Sequence, residues 1–282
     1  MLNKEAVPSD LLQESLHNEF CTPHLMLDRQ FKKMPNFRDM GGLQTVDGRR
    51  MKSGVLYRSD NPSKLSKEEI DRLRALQLKL IIDLRTPNER KNKVLKLDDS
   101  DRTRTIHVPI LQNDRDYTKL QFLWMMLRSA RTMDCEQMML SFYRKMVSVD
   151  LGEIRYIINL LADEENLPAL VHCRGGKDRT GILTALIQLL AGVSQEAVME
   201  NYLLSNKFIE EDMRRASFFI RGMSLFQLSG ERIRPLLEAR ESYLKAALDE
   251  IFSSYKSIED YFIMGCGMRE TVLARFKENL VD

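Results

Sequence analysis

The chain has 282 residues, 43% of them hydrophobic and 30% charged, with a net charge of +2. It is long enough to bury a full core, its balance is that of an ordinary soluble globular protein, and it lacks the strong positive charge of a nucleic-acid binder. Cys21, Cys135, Cys173 and Cys266 are far apart and form no CxxC pair, so neither a zinc site nor a disulfide framework is indicated.

Residues 1–30 read as an N-terminal arm, with one short helix around Asp10 to Phe20 and no apolar core of a secretory signal. Residues 31–282 read as a single domain. Gly41-Gly42 forces a turn, and Asp47-Gly48 joins Leu43–Val46 to Arg49–Lys52 as a small hairpin. Gly54–Ser59 is the next strand. Ser66-Lys67-Glu68-Glu69 is a capping box that opens a helix with Ile70, Leu73 and Leu76 on one face. Leu78–Arg85 follows as a strand ended by Thr86-Pro87, and Thr105–Pro109 is another. Residues 110–166 read as mainly helical, over Asp116 to Arg131, Cys135 to Ser148 and Leu151 to Leu161. Leu167–Val171 is a buried strand, and Ile182–Ala191 a buried helix closed by Gly192. Ser194 opens a further helix, 207–230 is rich in Phe and Met, and Pro235 is expected to start a long helix to about Ile251. Two capped helices, near Ser257–Met264 and Arg269–Leu280, end the chain. Strands alternating with helices predict an α/β fold with a mostly parallel central sheet flanked by helices. Ligands then gather beyond the carboxyl ends of its strands. The longest uncharged stretch, Thr180–Ser194, is too short and mixed to span a bilayer.

Cys173 falls at such an end, in His172-Cys173-Arg174-Gly175-Gly176-Lys177-Asp178-Arg179-Thr180-Gly181. A glycine-bearing loop that turns into a helix start suits phosphate, because helix-start N–H groups lack partners and the dipole is positive there. Gly175 and Gly176 let successive N–H groups point inward as an anion nest. Arg179, six positions after Cys173, can grip two phosphate oxygens with its planar fork. The same field should lower the thiol pKa of Cys173 and make it a nucleophile. Thr180 can give its hydroxyl proton to the sulfur.

This spacing resembles the signature of the cysteine-dependent protein tyrosine phosphatase superfamily. A larger ordered set includes Asn36-Phe37-Arg38-Asp39-Met40-Gly41-Gly42, Leu56-Tyr57-Arg58-Ser59, Ile81-Ile82-Asp83-Leu84-Arg85, the Cys173 loop and the tail from Glu238 to Tyr261. It looks like the atypical bacterial tyrosine phosphatase family of the mycobacterial phosphatase B type. That resemblance implies phosphotyrosine and phosphoinositide phosphatase activity, no cofactor or metal, and a helical lid, placed here around 195–230. It also implies that Lys177 helps hold a second phosphate or acidic neighbour. One departure is Lys256, where glycine is expected.

The candidate catalytic residues are therefore Cys173, Arg179 and Asp178, with Arg174, Gly175, Gly176, Lys177 and Thr180 binding substrate. No Trp-Pro-Asp loop is present, since Met125 follows the only tryptophan, Trp124. Asp178, in the loop, is thus the first candidate for general acid, as the resemblance also suggests. Asp83 is second, against a role as partner of Arg85 or Arg38. Asp114 and Asp116 are third. His172 reads as a core residue that shapes the loop. Arg38 and Asp39 read as a structural pair near the site, and Arg58 as either a phosphate contact or a strand cap. The run Arg85, Arg90, Lys91, Lys93, Lys96 reads as a solvated face, with anionic substrates or a membrane surface as the other reading. The Phe/Met stretch fits both plain core and a mobile lid. Expected partners are a phosphorylated protein or a phosphoinositide, not nucleic acid. A thiol nucleophile fits a cytoplasmic, reducing location. The competing functions are a pseudophosphatase that binds without turnover, and sulfur transfer or arsenate reduction.

Overall fold

A computed structural model describes residues 31–91, 93–98, 101–111, 121 and 134–282. The expected N-terminal arm, the helix over Asp116 to Arg131 (Gln121 apart), and the candidates Asp114 and Asp116 lie outside the described residues.

The strands are β1 (Arg38–Asp39), β2 (Leu56–Ser59), β3 (Leu80–Asp83), β4 (Arg104–His107) and β5 (Ala169–His172). They form one sheet in the order β1-β2-β5-β3-β4, with only the β1–β2 pair antiparallel. Every residue of β3 and β5 is buried, which explains their unbroken apolar sequences: a parallel strand at the centre is covered on both faces. Alternate side chains go to opposite sides. Leu80, Ile82, Ala169 and Val171 enter the main core, while Ile81 and Leu170 join Phe31, Met34, Phe37, Leu73 and Leu78 on the other face.

Leu73 belongs to α1 (Lys67–Ala75), which opens with the expected capping box between Ser66 and Glu69. A second box was not expected. Thr86 caps α2 (Pro87–Arg90), proline fills its first turn, and Glu89 closes the box. So Thr86-Pro87 both ends a strand and begins a helix. The Asp47-Gly48 hairpin is present, Gly48 having φ +88° and Thr45 N donating to Arg49 O. Next come α3 (Cys135–Ser148) and α4 (Leu151–Leu161), with the expected bounds.

The helix after β5, α5 (Arg179–Leu190), is buried at every position except Leu189. It starts three residues before the apolar run, so Arg179 lies in its first turn. Ser194 caps α6 (Gln195–Phe208), which is followed by α7 (Glu210–Met223) and α8 (Gly230–Leu237). Pro235 does not start a long helix. It sits inside α8, and α9 (Glu241–Ser254) begins only after a break at 238–240. The backbone there is taken by side chains from elsewhere. Asn206 accepts from Ala239 N and donates to Ala239 O, at 2.7 and 2.8 Å, and Lys177 donates to Glu238 O. These bonds satisfy groups that a continuous helix would have paired internally. A turn at Ile258–Asp260 capped by Ser257 and α10 (Glu270–Leu280) complete the chain; Arg269 makes no side-chain cap.

β2, β3 and β5 end in register. Ser59 and Asp83 both lie opposite His172. Cys173 is the next residue, so the three strand ends form the floor on which its loop rests. Among the described residues no helix is long and apolar enough to cross a membrane.

Candidate active site

The loop from Cys173 to Asp178 leaves the sheet, turns, and feeds α5. It lies so close to the end of β2 that a Cβ on Gly176 would stand 2.5 Å from the backbone carbon and oxygen of Ser59, and Gly176 has φ +63°. Only glycine fits on both counts. Three carbonyls of the loop are held from outside. Arg174 O accepts from Asn61 N at 3.3 Å, Gly175 O from Asn36 Nδ2 at 2.8 Å, and Gly176 O from Arg58 Nη2 at 2.7 Å. With the carbonyls turned to these donors, the amides of Arg174, Gly175, Gly176 and Lys177 find no acceptor among the described residues. Unspent amide donors at a helix start are an anion site.

Arg179 is 7% exposed and clamped. Its Nη1 and Nη2 donate to the two carboxylate oxygens of Glu89 at 2.6 and 2.9 Å, and Nη1 also donates to Leu84 O at 3.2 Å. Burial weighs against its charge, but Cys173 and Glu89 together more than offset this and raise its pKa. Glu89 in turn is held by its capping box with Thr86. Burial pushes the Glu89 carboxyl up, yet the Arg179 pair dominates and leaves it below its usual range. A helix cap thus aims the arginine.

Asp178, the last residue before α5, is an acceptor of two strong bonds. Its Oδ1 takes Lys177 Nζ at 2.6 Å and Tyr143 Oη at 2.8 Å. Tyr143 Oη also shares a hydrogen with Tyr202 Oη at 2.7 Å. Both tyrosines are fully buried, and burial followed by the nearby Asp178 charge pushes their phenols up, so they stay protonated donors. Lys177 is 5% exposed and bridges Asp178 to Glu238 O at 3.1 Å. The Thr180 hydroxyl is buried with no partner among the described residues.

The remaining candidates fall into supporting places. Arg38 donates from Nη1 to Asn36 Oδ1 at 2.5 Å, and from Nη2 to Asn201 O and Ser205 Oγ at 3.1 Å, so it steadies the residue that holds Gly175. Asp39 accepts from Gly41 N and Gly54 N and organises the β1–β2 turns. Arg58 is wholly buried; burial pushes its pKa down to about 10, and its bond to Gly176 O makes it a loop support. Asp83 takes Arg85 Nε and Nη2 at 2.8 and 2.7 Å, which is the pairing expected of a non-catalytic residue. Arg85 is therefore buried and leaves the solvated run, of which Lys91, Lys93 and Lys96 are exposed. Burial pushes His172 down to about 4, and its Nδ1 lies 3.3 Å from Cys173 O, so it is a neutral core residue at neutral pH.

Residues 29–282 match the model of the tyrosine phosphatase family. The chain belongs to that family. A Cupriavidus necator protein whose name places it among tyrosine-protein phosphatases is 30% identical over 234 residues, 83% of this chain and 82% of its own. The triple specificity protein phosphatase PtpB of Mycobacterium tuberculosis is 25% identical over 86% of this chain and 95% of its own. Among solved structures, Pseudomonas aeruginosa TpbA aligns with TM-score 0.34 and 22% identity, over 64% of this chain and 89% of that one.

Sequence reasoning assigned no role to Glu89, Asn61, Tyr143 or Tyr202, and quoted Asn36 without one. Only Glu89 left a local signal: Thr86-Pro87-Asn88-Glu89 is a legible capping box. In this phosphatase Glu89→Gln keeps that box, since Gln serves at the same position, but removes the charged fork. We expect kcat on an aryl phosphate to fall about 10²-fold and the thermal midpoint to drop as well, because the buried Arg179 loses its counter-charge; an unchanged kcat would contradict the clamp.

Asp60, just past β2, accepts Asn36 N at 3.0 Å, and burial raises its carboxyl to about 7. The folded state therefore holds a proton that the unfolded state loses near pH 4, and this stability disappears as pH rises through 7. Asp60→Asn, neutral at all pH and still an acceptor, should gain in denaturant midpoint over the wild type between pH 5 and pH 8. Parallel midpoints across that range would refute the buried proton.

Proposed function

We propose that this phosphatase hydrolyses phosphomonoesters through a phosphocysteine intermediate. The observation that carries the reading is the run of loop amides after Cys173 with no acceptor among the described residues, together with Arg179 fixed by Glu89 at the start of α5. Cys173 Sγ attacks phosphorus, the P–O bond to the leaving group breaks, and Asp178 supplies the proton to the departing oxygen. Water then attacks phosphorus, Asp178 takes its proton, and the P–S bond breaks as Cys173 leaves, helped by the Thr180 hydroxyl. The amides and Arg179 stabilise the equatorial oxygens in both steps.

Asp178 needs a proton for the first step, whereas Lys177 and Tyr143 as placed favour its carboxylate. Lys177 moving onto a second anionic group of the substrate releases one of these two bonds, while Tyr143 keeps the carboxyl in position. Phosphotyrosine is the proposed protein substrate, with phosphoserine, phosphothreonine and phosphoinositides as further classes. The triple specificity in the name of the mycobacterial relative supports that breadth. The 195–230 segment is proposed as the lid and a reducing, cytoplasmic compartment as the location. Binding without turnover is disfavoured, because nucleophile, arginine and carboxylate are all present on one loop.

The test uses aryl phosphates with good and poor leaving groups. Wild type should turn over both and Cys173→Ser neither. Asp178→Asn should lose at least about 10²-fold on the poor leaving group and much less on the good one. Tyr143→Phe should show the same bias more weakly. Turnover by Cys173→Ser would defeat the reading, and equal losses on the two leaving groups would remove Asp178 as the acid.

A further inference from the structure

Gly181 closes the signature stretch, and the chemistry above gives it no task. What it provides is room. A Cβ there would stand 3.0 and 3.1 Å from Cε2 and Cδ2 of the Tyr202 ring, tighter than close-packed side chains come. The missing side chain lets that ring lie against the first turn of α5, and Tyr202 is only 1% exposed. Tyr202 belongs to α6, which heads the segment proposed as the lid. The stretch of α6 around it is fastened to the body. Asn201 O and Ser205 Oγ both accept from Arg38 at 3.1 Å, and Asn206 exchanges two bonds with Ala239.

A phenol has one hydrogen to give. Tyr143 gives its own to Asp178 Oδ1 at 2.8 Å, so the hydrogen in the 2.7 Å contact between the two tyrosines is the one on Tyr202. The Tyr202 oxygen in turn accepts from the backbone N–H of Arg240. With Asp178 as the carboxylate, the donors run one way, from Arg240 N–H through Tyr202 and Tyr143 to Asp178. Both tyrosines are buried, where each bond of such a chain polarises the next. Lys177 makes a second path between the same ends, donating to Asp178 Oδ1 at 2.6 Å and to Glu238 O at 3.1 Å. A third tyrosine stands outside the chain. The Tyr243 ring is 5.4 Å from that of Tyr143, but its hydroxyl donates to Pro235 O at 3.1 Å.

We infer, resting on the proposed role of Asp178 as the acid, that Tyr202 is a positioning residue for general-acid catalysis. It commits the Tyr143 hydroxyl to Asp178, and so aims the carboxyl and steadies the carboxylate that remains once the proton has passed to the leaving oxygen. Tyr202 touches no reacting atom. Its effect is confined to substrates whose leaving oxygen needs that proton, which are those with poor leaving groups. A ring that only filled the core would do so equally well without its hydroxyl, and Tyr202→Phe removes the hydroxyl alone.

The test compares kcat/KM, which covers the steps through P–O cleavage, for full-chain variants on aryl phosphates with good and poor leaving groups. Tyr202→Phe should lose about fivefold on the poor leaving group, the worth of one hydrogen bond, and stay within about twofold of wild type on the good one. Combined with Tyr143→Phe it should cost nothing beyond Tyr143→Phe alone, because the two hydroxyls act in series. Tyr243→Phe, which removes a neighbouring hydroxyl from outside the chain, should show no leaving-group bias. Equal losses of Tyr202→Phe on the two leaving groups, losses that multiply in the double variant, or the same bias in Tyr243→Phe would each overturn the inference. If Tyr202→Phe does not fold, Gly181→Ala presses on the same ring without removing a polar group and should show the bias; equal losses there would overturn it as well. Asp178→Asn separates the two failures. With its bias present and that of Tyr202→Phe absent, the acid stands and the positioning role falls; with its bias absent, both fall.

Discussion

Everything at this site depends on where three carbonyl groups point. A loop of six residues at a strand end could turn its amides or its carbonyls toward an incoming group. Asn36, Arg58 and the Asn61 amide each hold one carbonyl of Arg174–Gly176 on the outside. The loop amides are left without partners among the described residues, at a cost that an oxyanion would reverse. Gly176 matters for the same reason: a side chain there would push the loop off Ser59 and loosen all three bonds.

This arrangement sorts the arginines. Arg38 and Arg58 are both buried, yet neither is primarily a phosphate ligand; one holds Asn36 and the other holds Gly176. Arg179 is held by a bidentate carboxylate and one backbone carbonyl, Leu84 O. Burying such charges is costly unless each is paired. Arg58 Nε and Nη1 lack partners among the described residues, and Cys173 favours its charged form. The supports therefore also contribute to the positive field that the chemistry needs.

Local signals in the chain are read well from sequence. Strand–loop–helix around Cys173, the hairpin at Asp47-Gly48, the Ser66 capping box and the bounds of α3 and α4 follow from periodicity and turn chemistry. The misses come from distance. Asn36 and Gly175 are 139 residues apart, and Arg179 and Glu89 are 90 apart, so no window of the sequence shows that they meet. Pro235 misled for a related reason. A proline can open a helix, and what breaks this one is hydrogen bonding from Asn206 and Lys177, which only the folded chain brings near. Asp83 and Arg85, by contrast, are two residues apart, and their pairing was one of the readings already available.

The most direct measurement is a crystal structure of the chain soaked with tungstate. The account predicts one tetrahedral anion over Cys173 Sγ, its oxygens on the amides of the 174–179 loop and on Arg179, with Asn36 still bonded to Gly175 O and Arg58 to Gly176 O. An anion seated elsewhere, or a loop whose carbonyls have swung inward, would contradict it.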